Sequence, residues 1–322
     1  MAVTAGVDLG GTKIQTVVTK GVKGEIAGES RLPTPQSGAE DVVAAIEQSI
    51  REALTAAKTR TSQLAGVGIG APGEINQRTG AVGNSPNLPG FQSDAVPLAQ
   101  QLRKALGVTG VRVKVDNDVR VAILGELERG AGKEYNHFLG VWVGTGVGGG
   151  LVLNRRLIRG RGNLGEIGHT VVKDGGRECS CGRNGHLESY AGRGRIALTA
   201  MRRHKRGEKT DLFKIQKKKG RPRVSSGVVA DALDHGDAMT HELIDEAVWA
   251  LGVALGSAQN LLDLEAIIIG GGLGDRLGDP FVKRIEEAMR PQLFVPLRAP
   301  VLTKSGLGDF SGAVGAAVLA GA

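Results

Sequence analysis

AGVDLGGTKIQTVVTK, residues 5–20, and FLGVWVGTGVGGGLVL, residues 138–153, follow one pattern: an apolar run, a glycine-rich turn, and a second run rich in Val, Thr or Leu. Each reads as a β-hairpin. Either turn alone is unremarkable, because Gly-Gly turns are common in hairpins. GTGVGGG is also not a dinucleotide-binding fingerprint, since it joins two strands rather than opening a helix. Two such hairpins more than a hundred residues apart carry more weight, because each begins a further series of strands and helices.

After the first hairpin, residues 40–60 have helical spacing (Val42, Ala45, Ile46, Ile50, Leu54), and AGVGIGAPG at 65–73 reads as a buried strand ending in a Pro-Gly turn. A helix over 95–106, a strand over 111–115 and a helix over 121–130 follow. After the second hairpin come helices over 226–234 and 239–262, the apolar strand EAIIIGGGL, a helix near 280–290 and a C-terminal apolar helix, GAVGAAVLA. Two βββαβα-like halves, each opened by a glycine hairpin, predict an α/β chain with the two-domain actin-like ATPase (ribonuclease H-like) fold and an inter-domain cleft. The expected small domain is 1–118 with 305–322, and the expected large domain is 119–304.

Composition agrees with a globular α/β chain. Of 322 residues 41% are hydrophobic and 23% charged, with 51 glycines and only 3% aromatics. No run approaches 18 uncharged apolar residues, and the N-terminus lacks the features of a signal peptide, so a cytoplasmic protein with no membrane partner is expected. Residues 202–223 hold eleven Lys and Arg against Glu208 and Asp211, a local excess of nine, so the remaining residues of this +8 chain sum to −1. Such a run is an ordinary solvated face or a strip for polyanions such as polyphosphate or nucleic acid. Phe213 is its only aromatic residue, which argues against single-stranded nucleic acid.

The glycine turns suggest phosphate chemistry. Backbone N–H groups of Gly10, Gly11, Gly144, Gly146 and Gly148 can approach phosphate oxygens, and Thr12 and Thr145 add hydroxyl donors. Gly270, Gly271 and Gly272, after an apolar strand, offer side-chain-free backbone on which an adenosine can lie. Two phosphate clamps with a nucleoside rest describe an ATP site. VDNDVR, residues 115–120, sets Asp116, Asn117 and Asp118 at the end of a strand; alone it would be an ordinary turn, since Asp and Asn are common there. Cys179 and Cys181 are the only cysteines, which excludes a disulfide framework, and a bond across the one residue between them would be strained.

VDLGGTK, VDNDVR, GVGGGLVLN, GEIGH, CSCGRNGHLE and AIIIGGGL stand in the order and approximate spacing of the ROK family of sugar kinases and repressors, which the chain resembles from residue 5 to about 320. The resemblance implies an ATP-dependent hexokinase, with glucose the leading substrate, bound Mg²⁺ and a structural Zn²⁺, acting as a homodimer. It implies Asp118 as the general base that takes the proton of the sugar hydroxyl, with Asn117 bonding a neighbouring hydroxyl; Asp116 is then a solvated turn residue. Asp8 would lie near the phosphates and Mg²⁺, usually through water, and Lys13 would reach a phosphate oxygen or lie along the strand surface. Glu166, His169 and Glu188 match the family's sugar-binding residues, and the walls around Gly73 and residues 87–90 would set which hexose or N-acetylhexosamine fits. The family's zinc block ends in a third cysteine; here that position is His186, leaving His169, Cys179, Cys181 and His186 as a four-ligand set. Polyphosphate is an alternative donor. A sugar-responsive DNA-binding regulator is disfavoured because Asp8 lies too near the start for a preceding DNA-binding domain.

Overall fold

The computed structural model describes residues 3–21, 24–108 and 110–321. They form two compact units, one of the described residues within 1–133 and 310–322, the other of residues 134–309.

In the first unit β1 (Val3–Leu9) and β2 (Lys13–Lys20) make the predicted hairpin, and β3 (Glu25–Pro33) adds an edge strand. The helix α1 (Ala39–Ala56) follows, burying Val42, Val43, Ile46, Ile50, Ala53 and Leu54 at helical spacing. β4 (Leu64–Ala71) pairs in parallel with β1, and a side hairpin of β5 (Glu74–Asn76) and β6 (Ala81–Gly83) lies beyond it. α2 (Leu98–Leu106) ends on Gly107 at φ +65°, a left-handed cap that glycine takes without strain. β7 (Arg112–Asn117) completes the sheet in the order β3-β2-β1-β4-β7, and α3 (Asp118–Arg129) begins directly after it.

The second unit repeats this order. β8 (Phe138–Val143), β9 (Val147–Leu153) and β10 (Arg156–Leu157) form the antiparallel part. The helices α4 (Glu188–Ala191), α5 (Arg193–Lys205), α6 (Leu212–Lys218), α7 (Ser226–Asp234) and α8 (Ala238–Leu262) intervene before β11 (Ala266–Gly270). α9 (Gly271–Met289) and β12 (Val301–Lys304) follow, giving the order β10-β9-β8-β11-β12. In both sheets the hairpin stands beside two strands parallel to its first member, as the repeated glycine pattern predicts. Of these strands β4, β8 and β11 read as apolar runs because both their faces are covered.

The last helix, α10 (Ser311–Gly321), belongs to the first unit, where it packs on β1, β4 and α3. Its sequence SGAVGAAVLAG has almost no bulk, and the sheet beneath it is equally bare: a Cβ on Gly68 would lie 1.9 Å from the Ala316 carbonyl oxygen. Helix and sheet therefore meet backbone to backbone. This contact explains why the division between units falls at 133 rather than at the expected 118. α3 packs on α10, through Val121 against Ala316 and Leu319, and so stays with the first unit. Two further differences concern α9, which starts at Gly271 and breaks at Gly278 before Pro280, and the edge strands β3 and β12, whose half-exposed residues lack a clear apolar pattern.

Candidate active site

In the first unit the carboxyl ends of the parallel strands gather three of the expected residues. The register sets Asp8 of β1 opposite Gly70 of β4, and Gly70 opposite Asp116 of β7. Two strand spacings separate the outer pair, about 10 Å of backbone. Asn117 and Asp118 follow at the strand-to-helix corner, and a Cβ on Gly70 would come within 3.3 Å of the Asp118 Cα, so the corner rests on a bare strand end.

Asn117 caps α3: its Oδ1 accepts from the N–H groups of Val119 at 3.1 Å and Arg120 at 3.2 Å. Its Nδ2 donates to Asp118 Oδ1 at 3.0 Å, and the Val119 N–H donates to the same oxygen at 2.9 Å. The amide oxygen is thus committed to the helix, and only the amide nitrogen remains to meet a ligand. The Asp118 carboxylate is oriented by two donors at the positive end of α3.

Asp116 corrects an expectation. It is 2% exposed rather than solvated, and Oδ1 accepts from Arg120 Nε at 3.0 Å, Gln77 Nε2 at 2.9 Å and the Asn117 N–H at 2.8 Å. Arg120, four residues on, is the buried partner of Asp116. The pair lies directly behind the Asn117–Asp118 corner. Arg120→Ala leaves a buried carboxylate facing a void and is expected to lower stability by about 3–5 kcal/mol in urea unfolding; a loss below about 1 kcal/mol would show that the pair contributes little.

The first glycine turn is closed by the Gly10 N–H donating to the Lys13 carbonyl at 2.9 Å, with Thr34 Oγ1 donating to the Gly10 carbonyl at 2.6 Å. Thr12 is exposed, Gly11 approaches the backbone of Asn87, and Lys13 Nζ donates to Gln15 Oε1 at 3.0 Å. Asp8 sits against the start of α10, where a Cβ on Gly312 would strike its carboxylate. Gly73 holds φ +103°, and a Cβ there would meet the Gly83 carbonyl and Ser85, so this position is closed to other residues by its own backbone.

In the second unit the GEIGH segment lies on β9 with almost no gap: a Cβ on Gly168 would fall 2.0 Å from the Val147 carbonyl oxygen. Glu166 and His169, both exposed, flank this seat on Val147, the residue that follows the turn Gly144-Thr145-Gly146, while Gly148 lies within β9 opposite Trp142. Glu188, at the start of α4, links turn and loop. Its Oε2 accepts from the Val147 N–H at 3.0 Å, and its Oε1 accepts from Ser180 Oγ at 2.6 Å.

The four expected metal ligands converge, with one donor atom from each of His169, Cys179, Cys181 and His186 lying within 4.8 Å of the others. His169 Nδ1 and His186 Nδ1 are 3.4 Å apart, Cys179 Sγ and His169 Nδ1 3.8 Å, and Cys181 Sγ and His186 Nδ1 3.3 Å. Zinc bond lengths in a tetrahedron give ligand-to-ligand separations of about 3.3–3.8 Å, so this N₂S₂ set fits that ion. Burial raises the Cys179 thiol above its usual pKa and lowers that of His186. The knuckle itself is short: the Cys179 N–H donates to the Arg183 carbonyl and the Gly182 N–H to the Cys179 carbonyl.

Two further features modify the sequence reading. Gly270 and Gly271 do not present open backbone, since a Cβ on Gly270 would strike the Trp142 ring and one on Gly271 the backbone of Val143; only Gly272 is exposed, beside Ser226. Arg193, which no motif singles out, donates from Nη2 to Thr145 Oγ1 at 2.8 Å and from Nη1 to Ser226 Oγ at 3.0 Å. Burial lowers its pKa from the usual guanidinium value, and no carboxylate pairs with it among the described residues. It places a cation between the second glycine turn and the start of α7. The basic segment 202–223 is largely exposed, with Arg203, Lys214 and Lys219 held by acids and Phe213 tilted against His204 at 5.5 Å.

Comparison with known proteins agrees with this arrangement. A glucokinase of Halalkalibacterium halodurans is 34% identical over 96% of this chain and 92% of its own length. An N-acetylmannosamine kinase of Yersinia pestis is 32% identical over 97% of this chain and 96% of its own. Among solved structures, a ROK family glucokinase from Streptomyces griseus in complex with glucose and AMPPNP superposes with a TM-score of 0.81 at 30% identity, covering 99% of both chains. The ROK family profile matches residues 4–322. With a match spanning the paired glycine hairpins, the duplicated sheets and the His-Cys knuckle, the chain belongs to the ROK family and has its two-domain actin-like ATPase fold.

Proposed function

We propose that this protein is a sugar kinase that transfers the γ-phosphoryl group of ATP to a hexose hydroxyl, with glucose the leading substrate. The reading is carried by the strand-to-helix corner, where Asp118 is held by Asn117 and the Val119 N–H. Phosphoryl transfer needs a positioned acceptor of the hydroxyl proton, and Asp118 takes that role. Asn117 bonds a neighbouring hydroxyl through its amide nitrogen, while Glu166, His169 and Glu188 bond others. Gly73 belongs to the sugar wall.

For the nucleotide, the amides of Gly11 and Gly146, with Thr12, Lys13 and Thr145, bind phosphate oxygens, those of Gly10 and Gly144 being spent on closing their own turns, and Asp8 holds the Mg²⁺ through water. Arg193 adds charge beside Thr145. The nucleoside lies at Gly272 rather than along all three glycines 270–272. Bound zinc at His169, Cys179, Cys181 and His186 would supply a rigid cross-link and no chemistry, since all four positions are filled by protein. Exposed Phe294 and Leu297, 88% and 100% accessible, support homodimerisation as the way to cover them.

A second reading keeps the chemistry and changes the acceptor to an N-acetylhexosamine, which the similarity to N-acetylmannosamine kinases favours. A coupled assay over glucose, mannose, fructose and N-acetylmannosamine, with ATP and polyphosphate as donors, tests both. The highest kcat/KM is expected for glucose with ATP. Absence of donor consumption with every sugar would refute the kinase reading.

A further inference from the structure

We propose that the second unit carries a binding pocket for a tetrahedral oxyanion, separate from the residues assigned above: inorganic phosphate, or the phosphate head of a small monoester. The pocket is a cavity of about 170 Å³ between α5, Ser189 of α4 and the stretch Arg177-Glu178. That volume is ample for one oxyanion with part of its hydration.

Its lining is built for negative charge. Arg195, Arg202 and Arg206 follow one another along one face of α5 at spacings of seven and four, with Arg203 adjoining. Arg177 and Arg203 are already neutralised: Arg177 pairs with Glu246 at 2.6 Å and lies over the Tyr190 ring at 5.0 Å, and Arg203 pairs with Glu208 and Glu242. These two form fixed walls. Arg195, Arg202 and Arg206 have no carboxylate partner among the described residues, and Glu178 is the single acid in the lining. Arg195, Arg202 and Arg206 against Glu178 leave a local excess of positive charge, which suits an oxyanion.

Two buried polar atoms make the stronger case. Ser189 is 2% exposed, yet among the described residues its Oγ has no hydrogen-bond partner, and the buried Arg195 Nε likewise has none. Orphaned buried donors are rare in folded proteins, and both of these belong to residues lining the one pocket. A cluster of cations near the end of a helix is favourable in itself, because it meets the negative end of the helix dipole. That explains Arg202 and Arg206 but neither Ser189 nor Arg195, which lie near the other end of the helix. An oxyanion accepts from all of them at once, its oxygens taking the hydroxyl of Ser189 and the guanidinium donors of Arg195 and Arg202.

Isothermal titration of the full chain with inorganic phosphate, and separately with glycerol 3-phosphate, tests the site and separates the two sources. Wild type is expected to bind one equivalent per chain that Arg195→Gln and the exposed double variant Arg202→Ala/Arg206→Ala each lose or weaken at least tenfold. Circular dichroism checks that the variants are folded. Binding confined to the monoester assigns the site to phosphorylated metabolites, and binding of both ligands assigns it to the phosphate group alone. No binding of either probe by wild type, or undiminished binding in the folded double variant, would overturn the proposal. Arg202 and Arg206 have no part in the kinase reading, so sugar phosphorylation in the double variant reports on that reading separately.

Discussion

Asp118→Asn is expected to lower turnover by about 10²- to 10⁴-fold while leaving the melting temperature and the KM for sugar and nucleotide little changed, the loss typical of removing a positioned general base. The substitution is nearly isosteric. An amide at this position still accepts from the Val119 N–H, as the carboxylate oxygen does at 2.9 Å. What disappears is basicity and a charge at the first turn of α3, the latter worth about 0.3–1 kcal/mol at a helix N-terminus. The paired control is Asn117→Ala. It removes the cap of α3, at a cost of about 1 kcal/mol, and also the donor that orients Asp118, so it should reduce both stability and turnover. Steady-state kinetics with thermal melting separates the two. Near-normal turnover in Asp118→Asn would show that another group takes the proton.

The frame of the fold was legible because it rests on local pattern. A hairpin with a glycine turn, an apolar strand such as Leu64–Ala71 and an amphipathic helix such as Ala39–Ala56 announce themselves through period and turn chemistry. The edge strands Glu25–Pro33 and Val301–Lys304 did not, since an edge carries little burial to imprint on the sequence. The site divides in the same way. His169, Cys179, Cys181 and His186 lie within eighteen residues of chain, and the sequence brings them together through short turns. Asp116 looks solvated in the sequence because its environment is made at a distance: Gln77, thirty-nine residues away, and a buried arginine close the space that a strand-end acid would otherwise share with water. Arg193 was invisible for the same reason. Its two partners, Thr145 and Ser226, lie forty-eight and thirty-three residues away, and no short motif encodes a guanidinium that spans them.

Cys179→Ser is expected to abolish stoichiometric zinc, raise the KM for sugar by tenfold or more, and lower the melting temperature, with the proton-accepting step at Asp118 retained at saturating sugar. The cause lies in the loop between His169 and Glu188. It is tied down by few buried apolar groups, and its order depends on turns and on the cluster of donor atoms. A structural zinc site contributes about 10–16 kcal/mol of apparent binding free energy in small peptides, far more than the hydrogen bonds of this loop supply. His169 meets the cluster through Nδ1, so its Nε2 is the nitrogen left to face a ligand, and its ring orientation depends on the cluster holding. Glu188 is tied to the same loop by Ser180 Oγ and to the glycine turn by the Val147 N–H. Loosening the knuckle therefore disturbs Glu188 and, through it, the second glycine turn. Elemental analysis of purified protein should find about one zinc per chain, and chelation should reproduce the behaviour of the variant. His186→Cys, which restores a third thiolate, should retain zinc and activity, because nitrogen and sulfur donors are interchangeable in closed tetrahedral sites. Full activity in a zinc-free preparation would show instead that backbone turns alone hold the loop and that the four side chains converge for packing.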